Sequence, residues 1–137
     1  MRFEDLVVGQ SAEFAKTVTE TDVVLFAGIT GDFNPAHVNG PEAERGRFGG
    51  RIAHGMLSAG FISAVLGTRL PGPGTIYLSQ TLRFTRPVRI GDTVTARVEV
   101  AELIAAKRRA RLTTICTNQN GEMVLDGEAM VWLPETE

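Results

Sequence analysis

The sequence contains one cysteine, one tryptophan, one tyrosine and two histidines among 137 residues. A single thiol cannot form an internal disulfide, and Cys116 has no second cysteine at a metal-binding spacing. Cys116 lies among alternating β-forming residues, which predicts a buried structural thiol. Both a disulfide framework and a cysteine metal site are thereby excluded.

Long apolar runs and a basic excess are also lacking. No stretch reaches the roughly 18 to 20 apolar residues of a membrane span, and the N-terminal MRFEDLVVGQ has no signal-peptide pattern. The net charge of −2 argues against a nucleic acid or an anionic membrane as partner. Lys107, Arg108, Arg109 and Arg111 form a basic cluster. The only wide aromatic side chains of the chain, Tyr77 and Trp132, lie elsewhere in the sequence. We therefore expect a cytoplasmic protein with no nucleic-acid or membrane partner.

The hydrophobic pattern predicts one α+β domain over residues 1–137. A first strand is expected over residues 11–19. A helix follows, capped by Thr19 or Thr21 and ended by Gly31. Its expected packed face consists of Val23, Val24, Phe26, Ala27 and Ile29.

Residues 54–67 predict a second helix that is apolar nearly all round. Its only polar side chains beyond the first residue, Ser58 and Ser63, point in different directions at helical spacing. We therefore expect this helix to be buried on all sides within a curved sheet. Gly60 in its middle suggests that another backbone approaches closely.

From residue 75 onward the hydrophobic period changes to two. It predicts four antiparallel strands in a meander, the first over residues 75–86 with Gln80 as a polar residue on its apolar face. Asn120-Gly121 predicts a hairpin turn, and a bulge is expected near Asp126-Gly127. A curved antiparallel sheet around one long apolar helix is the hot-dog architecture. The open edge of such a sheet favours a homodimer.

Asp32 and His37 are the candidate reactive pair. Pro35 between them disfavours a continuous helix through Asn34, so the two side chains can converge on one water. A carboxylate and an imidazole in that arrangement form a general acid–base pair. The alternative is an aspartate that caps a turn beside an exposed histidine, and the spacing alone leaves both open.

His54-Gly55 stands at the start of the apolar helix. The free N–H groups there, Gly55 above all, can stabilise an oxyanion. We assign His54 itself to capping or packing. A serine nucleophile is not expected because the chain has no Gly-x-Ser-x-Gly elbow, and no metal is expected because the spacing of Asp32 and the two histidines matches no standard motif.

The segment GDFNPAHV, residues 31–38, resembles the hydratase-2 motif of the MaoC-like dehydratase family, and the fuller pattern is similar to its (R)-specific enoyl-CoA hydratases. RIAHGMLSAGFISAVLG resembles the central helix of that family, and PGPGTIYLSQTLRFTRPVRIGDTVTARVEV its later strands. The resemblance runs nearly end to end. It implies the syn addition of water to a trans-2-enoyl-CoA to give an (R)-3-hydroxyacyl-CoA, without a cofactor other than the CoA of the substrate.

The resemblance also implies roles for single residues. The catalytic pair falls on Asp32 and His37, of which we favour Asp32 as the base and His37 as the proton donor. A supporting asparagine falls on Asn34, the glycine that binds the thioester oxygen on Gly55, and a serine that assists in polyhydroxyalkanoate-linked members on Ser63.

Gln80 is predicted from the residues alone. It either orients a ligand or Asn34, or is a core amide with satisfied hydrogen bonds.

Three rival functions share the expected fold. A hot-dog thioesterase usually places an acid on the central helix, and this helix has none between Gly55 and Gly67. A non-catalytic acyl-thioester binding module would not need both Asp32 and His37. An (R)-3-hydroxyacyl-ACP dehydratase differs only in the carrier of the acyl group. Met56, Ser58, Phe61 and Leu66 are expected to tune the acyl chain length.

Overall fold

The computed structural model describes residues 1–135, which form one six-stranded antiparallel sheet and four α-helices. The helices are α1 (Glu20–Thr30), α2 (Pro35–Val38), α3 (Gly40–Glu44) and α4 (Gly55–Thr68). The strands are β1 (Ser11–Thr17), β2 (Ile76–Gln80), β3 (Arg83–Phe84), β4 (Thr93–Ile104), β5 (Arg109–Thr117) and β6 (Met123–Trp132). Two short 3-10 segments cover Phe3–Asp5 and Ala105–Lys107. The α+β class is as predicted.

The strand order is β1-β4-β5-β6-β2, with β3 also paired to β6. β4, β5 and β6 follow one another as hairpins, and Asn120 and Gly121 lie in the predicted turn. The predicted four-strand meander is wrong, because β2 pairs with β6 and not with β4. After β3 the chain leaves that edge, forms a bridge between Arg89 and Ile52, and only then enters β4.

The predicted strand over residues 75–86 is broken into β2 and β3. At the break the carbonyl oxygen of Thr81 lies so close to Gly127 that an added Cβ would be 1.8 Å from it. The predicted bulge near Gly127 is wrong in position: the register of β5 against β6 shifts between Cys116 and Thr117, while Gly127 stays paired with Thr114. The irregularity beside Gly127 is therefore the break between β2 and β3.

Helix α4 packs against β1, β4, β5 and β6, with Ile62 and Val65 fully buried. This helix against a curved sheet is the predicted hot-dog arrangement. The expectation that α4 is buried on all sides is wrong for the single chain. One stripe is exposed, formed by Met56, Gly60, Ser63 and Gly67. The sheet covers only one side of the helix, and among the described residues nothing lies within 4 Å of a Cβ placed on Gly60.

Helix α1 begins and ends as predicted. The Asp22 N–H donates to Thr19 Oγ1 over 3.1 Å, the Thr19 N–H donates to Asp22 Oδ2 over 2.9 Å, and Gly31 ends the helix at φ 83°. The predicted packed face is wrong at two positions, because Val24 is 53% exposed and Ile29 is 82% exposed. Residues 1–135 leave that side of the helix uncovered.

Cys116 is the predicted buried thiol. Its Sγ donates to the Ser58 carbonyl over 3.7 Å, and burial raises the pKa of the thiol to about 12. It is therefore a neutral packing residue at physiological pH.

Among residues 1–135, no helix has both the length and the apolar character that a membrane crossing requires.

Candidate functional site

Asp32, His37 and His54 form one side-chain cluster. A carboxylate oxygen of Asp32 and one ring nitrogen of each histidine lie within 4.8 Å of one another. Asp32 lies in the loop between α1 and α2, His37 lies on α2, and His54 is the N-cap of α4. The structure thus brings Asp32 and His37 together, as the sequence predicts, and adds the second histidine to them.

The Asp32 loop is ordered by hydrogen bonds on each side of the aspartate. The Asp32 N–H donates to Thr30 Oγ1 over 3.2 Å, and Asp32 Oδ1 accepts from the Asn34 N–H over 3.2 Å. The Asp32 carbonyl accepts from His54 Nε2 over 2.9 Å. Since Oδ2 takes part in none of these bonds, it is available to a water or a substrate.

His37 is aimed by the short helix α2. Pro35 starts that helix, and Asn34 Oδ1 caps it by accepting from the Ala36 N–H over 3.0 Å. His37 Nδ1 lies 2.7 Å from the Ile52 carbonyl oxygen. Because a carbonyl can only accept, Nδ1 carries the proton, and Nε2 is the nitrogen that can exchange one. Asn34 therefore supports both members of the pair, through its N–H and its side chain.

His54 is 2% exposed and lies beneath the pair. Its ring stacks on that of His37, with centroids 3.9 Å apart and planes inclined by 29°, and it also contacts the Phe26 ring at 4.7 Å. The bond to the Asp32 carbonyl places its proton on Nε2. Nδ1 is then an acceptor, and it is buried without a hydrogen-bond partner among the described residues.

These three side chains suit proton transfer better than a metal ion. A Zn–N bond is about 2.1 Å long and lies close to the plane of the imidazole ring. Rings stacked at 3.9 Å and inclined by only 29° keep their in-plane lone pairs in two separate, nearly parallel planes, so His37 and His54 cannot both point at one nearby ion. That the protein needs no metal stays a prediction.

A cavity of about 400 Å³ opens beside His37 and reaches Gly55 at the start of α4. The His54 side chain makes no capping bond to this helix, so it leaves the first amides of α4 unoccupied. A side chain at Gly55 would displace the Phe84 ring, because an added Cβ would be 2.6 Å from it. The remaining lining is mostly apolar with two arginines at its edge: Arg47, Phe48, Ile52, Ala53, Met56, Ser58, Thr85, Arg86, Pro87, Val88 and Val124.

Ser63 and Gln80 do not line this cavity. They face a separate apolar groove of about 450 Å³ between α4 and β2, and Met56 lines both spaces. Gln80 Nε2 donates to Thr114 Oγ1 over 2.9 Å and to the Thr81 carbonyl over 2.8 Å, while its Oε1 accepts from the Tyr77 hydroxyl. Among the described residues none of its bonds reaches Asn34, so the amide is satisfied as in the second of its two predicted roles. A contact of Ser63 or Gln80 with substrate stays a prediction.

Sequence reasoning missed how His54 and Phe84 contribute to the site. The bond from His54 to Asp32 spans 22 residues, and the contact between Phe84 and Gly55 joins a strand to a helix start. Neither leaves a periodic or spacing signal. The one visible hint is a histidine at an N-cap position, where serine, threonine, aspartate and asparagine are preferred.

Three comparisons bear on the chain. A family model described as the MaoC like domain matches residues 5–121. A protein of Rhodospirillum rubrum named (R)-specific enoyl-CoA hydratase is 59% identical over 132 residues, which cover 96% of this chain and 91% of that protein. A Methylorubrum extorquens protein named 3-hydroxybutyryl-CoA dehydratase is 58% identical over an alignment that covers 98% of this chain and 85% of that protein.

Among solved structures, an unliganded R-hydratase from Pseudomonas aeruginosa superposes with a TM-score of 0.93 at 50% identity, over 98% of this chain and 86% of that chain. The fold and the sequence therefore point to the same group of proteins.

Proposed function

The chain belongs to the MaoC-like domain family, and from that premise we propose that it is an (R)-specific enoyl-CoA hydratase. The enzyme is a hydro-lyase that adds water reversibly to a trans-2-enoyl-CoA and yields an (R)-3-hydroxyacyl-CoA. The observation that carries the proposal is the placement of the Asp32 carboxylate and the His37 ring within 4.8 Å of each other, next to a cavity that ends at Gly55.

The site supplies what hydration of an enoyl thioester needs. Attack of water on the β-carbon moves negative charge onto the thioester oxygen, and the free amide of Gly55 at the positive end of α4 stabilises that charge. Asp32 Oδ2 takes a proton from the water as its oxygen bonds to the β-carbon. His37 Nε2–H gives a proton to the α-carbon, and a proton passes from Asp32 to His37 to restore both groups.

The hydrogen bond of His37 to Ile52 supports this division of roles. An imidazolium needs acceptors for both N–H groups, and the Ile52 carbonyl provides one for Nδ1–H. Nε2–H then remains as the donor to the substrate. Delivery of both groups from the side where Asp32 and His37 lie gives syn addition.

The proposal includes a homodimer and an acyl-CoA substrate whose chain extends towards the groove with Ser63 and Gln80. Exposed apolar side chains occur on α1, on the open side of α4 and along β2. One edge of β2 pairs with β6, which leaves its other edge for a second copy of the chain. The CoA approaches between the two copies. Asn34 contributes by holding Asp32 and His37 in position. No cofactor takes part. The reaction takes place in the cytoplasm.

Crotonyl-CoA tests the function with the purified protein. We expect loss of the enoyl absorbance without release of free thiol. Asp32→Asn and His37→Ala are each expected to lower kcat by at least about 100-fold, since each removes a proton-transfer group. The control is Asp126→Asn, a half-buried carboxylate that is paired with Arg83 and does not line the cavity. This variant is expected to match the wild type.

The outcomes separate the rival functions. Release of thiol by the wild type would indicate a thioesterase, and hydration that survives both site substitutions would rule out the mechanism. Wild-type protein that leaves crotonyl-CoA and longer trans-2-enoyl-CoA esters unchanged would overturn the proposed function itself.

A further inference from the structure

We propose that His54 is a positioning residue, which fixes Asp32 relative to the amide of Gly55. This inference rests on the proposed function, because Asp32 and Gly55 are the base and the oxyanion donor of that reaction. His54 is not among the residues that line the cavity, and it acts through a hydrogen bond to Asp32 and a ring stacked on that of His37.

Of the hydrogen bonds of Asp32 described above, the one from His54 comes from a distant part of the sequence. The other bonds of Asp32 go to Thr30 and Asn34, which are two residues away on each side and shape only the loop. The bond from His54 Nε2 to the Asp32 carbonyl spans 22 residues and connects that exposed loop to the start of α4. Together with the bonds between α2 and Ile52, it holds the loop against the start of α4.

Gly55 directly follows His54 in the chain. One residue and one hydrogen bond of 2.9 Å therefore connect the backbone of Asp32 to the Gly55 amide. The same ring lies 3.9 Å from the ring of His37 and limits how that side chain can tilt. One buried imidazole thus touches both members of the reactive pair and adjoins the oxyanion donor.

Stability alone does not explain a histidine at this position. Its Nδ1 is buried without a partner among residues 1–135, which carries a cost that an apolar side chain would avoid. A serine or an aspartate at this N-cap would bond to the first amides of α4. Such a cap would stabilise the helix but would leave it without a bond to the Asp32 loop. Histidine instead directs its donor away from the helix, to Asp32.

The test compares His54→Gln with His54→Met. Both side chains are unbranched and of similar volume, and both remove the ring, but only glutamine retains an N–H that can reach the Asp32 carbonyl. We expect kcat for crotonyl-CoA hydration to fall roughly 10- to 100-fold in His54→Met, because a misplacement of about 1 Å costs that much. KM is expected to stay within about threefold, and His54→Gln is expected to recover most of the lost kcat.

A third variant, His54→Phe, keeps an aromatic ring against His37 and removes the donor. We expect its kcat to be as low as that of His54→Met while its thermal unfolding midpoint stays nearer to the wild type. Equal kcat in the glutamine and methionine variants would overturn the proposal, as would wild-type kcat in either variant that lacks the donor. If the wild type hydrates no enoyl-CoA, the proposed function fails first, and that result is distinct from any pattern among the variants.

Discussion

Gly55 affects both the packing of the site and its proposed chemistry. It lines the cavity, and its missing side chain leaves space for the Phe84 ring. Gly55→Ala would place a Cβ 2.6 Å from that ring. Since Phe84 is half-exposed, the ring can move, and we expect it to shift into the cavity at little cost in stability.

The predicted result for Gly55→Ala is a fall in kcat/KM of roughly 10- to 100-fold with a nearly unchanged unfolding midpoint, because a displaced ring misplaces the thioester. Steady-state kinetics and thermal unfolding measure the two effects. Phe84→Leu in the same chain is expected to restore part of the activity by making room. Gly67→Ala on the same helix has nothing within 4 Å of its Cβ, and it should retain full activity.

At the scale of residues, the sequence predicts the convergence of Asp32 and His37 well and the contacts that support it poorly. The convergence follows from a glycine that ends α1 and from an asparagine and a proline that start α2, all within eight residues. The roles of His54 and Phe84 depend on contacts between distant segments, which no local pattern encodes. Gln80 stands out in the sequence as a polar residue on an apolar face, but its partner Thr114 lies two strands away in the sheet, and no local pattern encodes that contact.

At the scale of elements, α1 has an ion pair built into its cap. Lys16 Nζ lies 2.6 Å from Asp22 Oδ2, which also accepts from the Thr19 N–H. The hydrogen bond from Lys16 lowers the pKa of the Asp22 carboxyl. A lowered folded-state pKa means that this stabilisation is present above the ordinary pKa of aspartate and is lost as the pH falls through the folded value.

Asp22→Ala is therefore expected to lower the free energy of unfolding at pH 7 by about 1 kcal/mol, the usual contribution of a cap. The difference from the wild type should shrink on acidification below about pH 4, because a protonated Asp22 loses its ion pair. Urea unfolding at several pH values measures this. Asp22→Asn retains an acceptor for Thr19 and should lose less, and a difference independent of pH would contradict the role of the charge.

Gly127 in β6 tests the break between β2 and β3. An added Cβ would be 1.8 Å from the Thr81 carbonyl oxygen, which is backbone and cannot swing aside. Gly127→Ala is expected to destabilise the protein by roughly 1–3 kcal/mol or more through overpacking, as chemical unfolding would show.

Gly28→Ala is the matched control for Gly127→Ala. Nothing lies within 4 Å of its Cβ on α1, so it should instead gain up to about 1 kcal/mol of helix propensity. Similar unfolding curves for the two variants would refute the close approach of Thr81.

Element types were predictable, but partners and faces were not. The ends of α4 and the hairpin between β5 and β6 follow from glycine, proline and the change of period. The pairing of β2 with β6 depends on where residues 85–92 cross, and the exposure of Val24 and Ile29 depends on what covers α1. An apolar pattern states that a face avoids water. It does not state which chain covers that face.

At the scale of the whole molecule, the exposed apolar surface predicts a second copy of the chain. The residues concerned are Val24, Leu25, Ile29, Phe33, Met56, Ile76 and Leu78. A monomer rarely exposes so many large apolar side chains on adjoining elements. We expect sedimentation or light scattering to give twice the mass of one chain.

Leu78→Glu on β2 is expected to shift the protein towards monomers, because it places a charge in the proposed interface. Activity should fall with it as the substrate groove loses its cover. Met123→Glu, in an exposed position at the far end of β6, should leave the mass unchanged. A fully active wild-type monomer would contradict the predicted dimer.

The strand order also has a consequence for synthesis on the ribosome. The final strand, β6, lies inside the sheet and is the partner of β2 and β3. The first strand, β1, cannot pair until β4 has been synthesised. The emerging chain cannot complete its sheet stepwise, and the apolar residues of α4 lack their full cover until β6 has left the exit tunnel. We therefore expect the domain to fold as a unit only once β6 is available, and an arrested product that lacks β6 would present unpaired strand edges that promote aggregation.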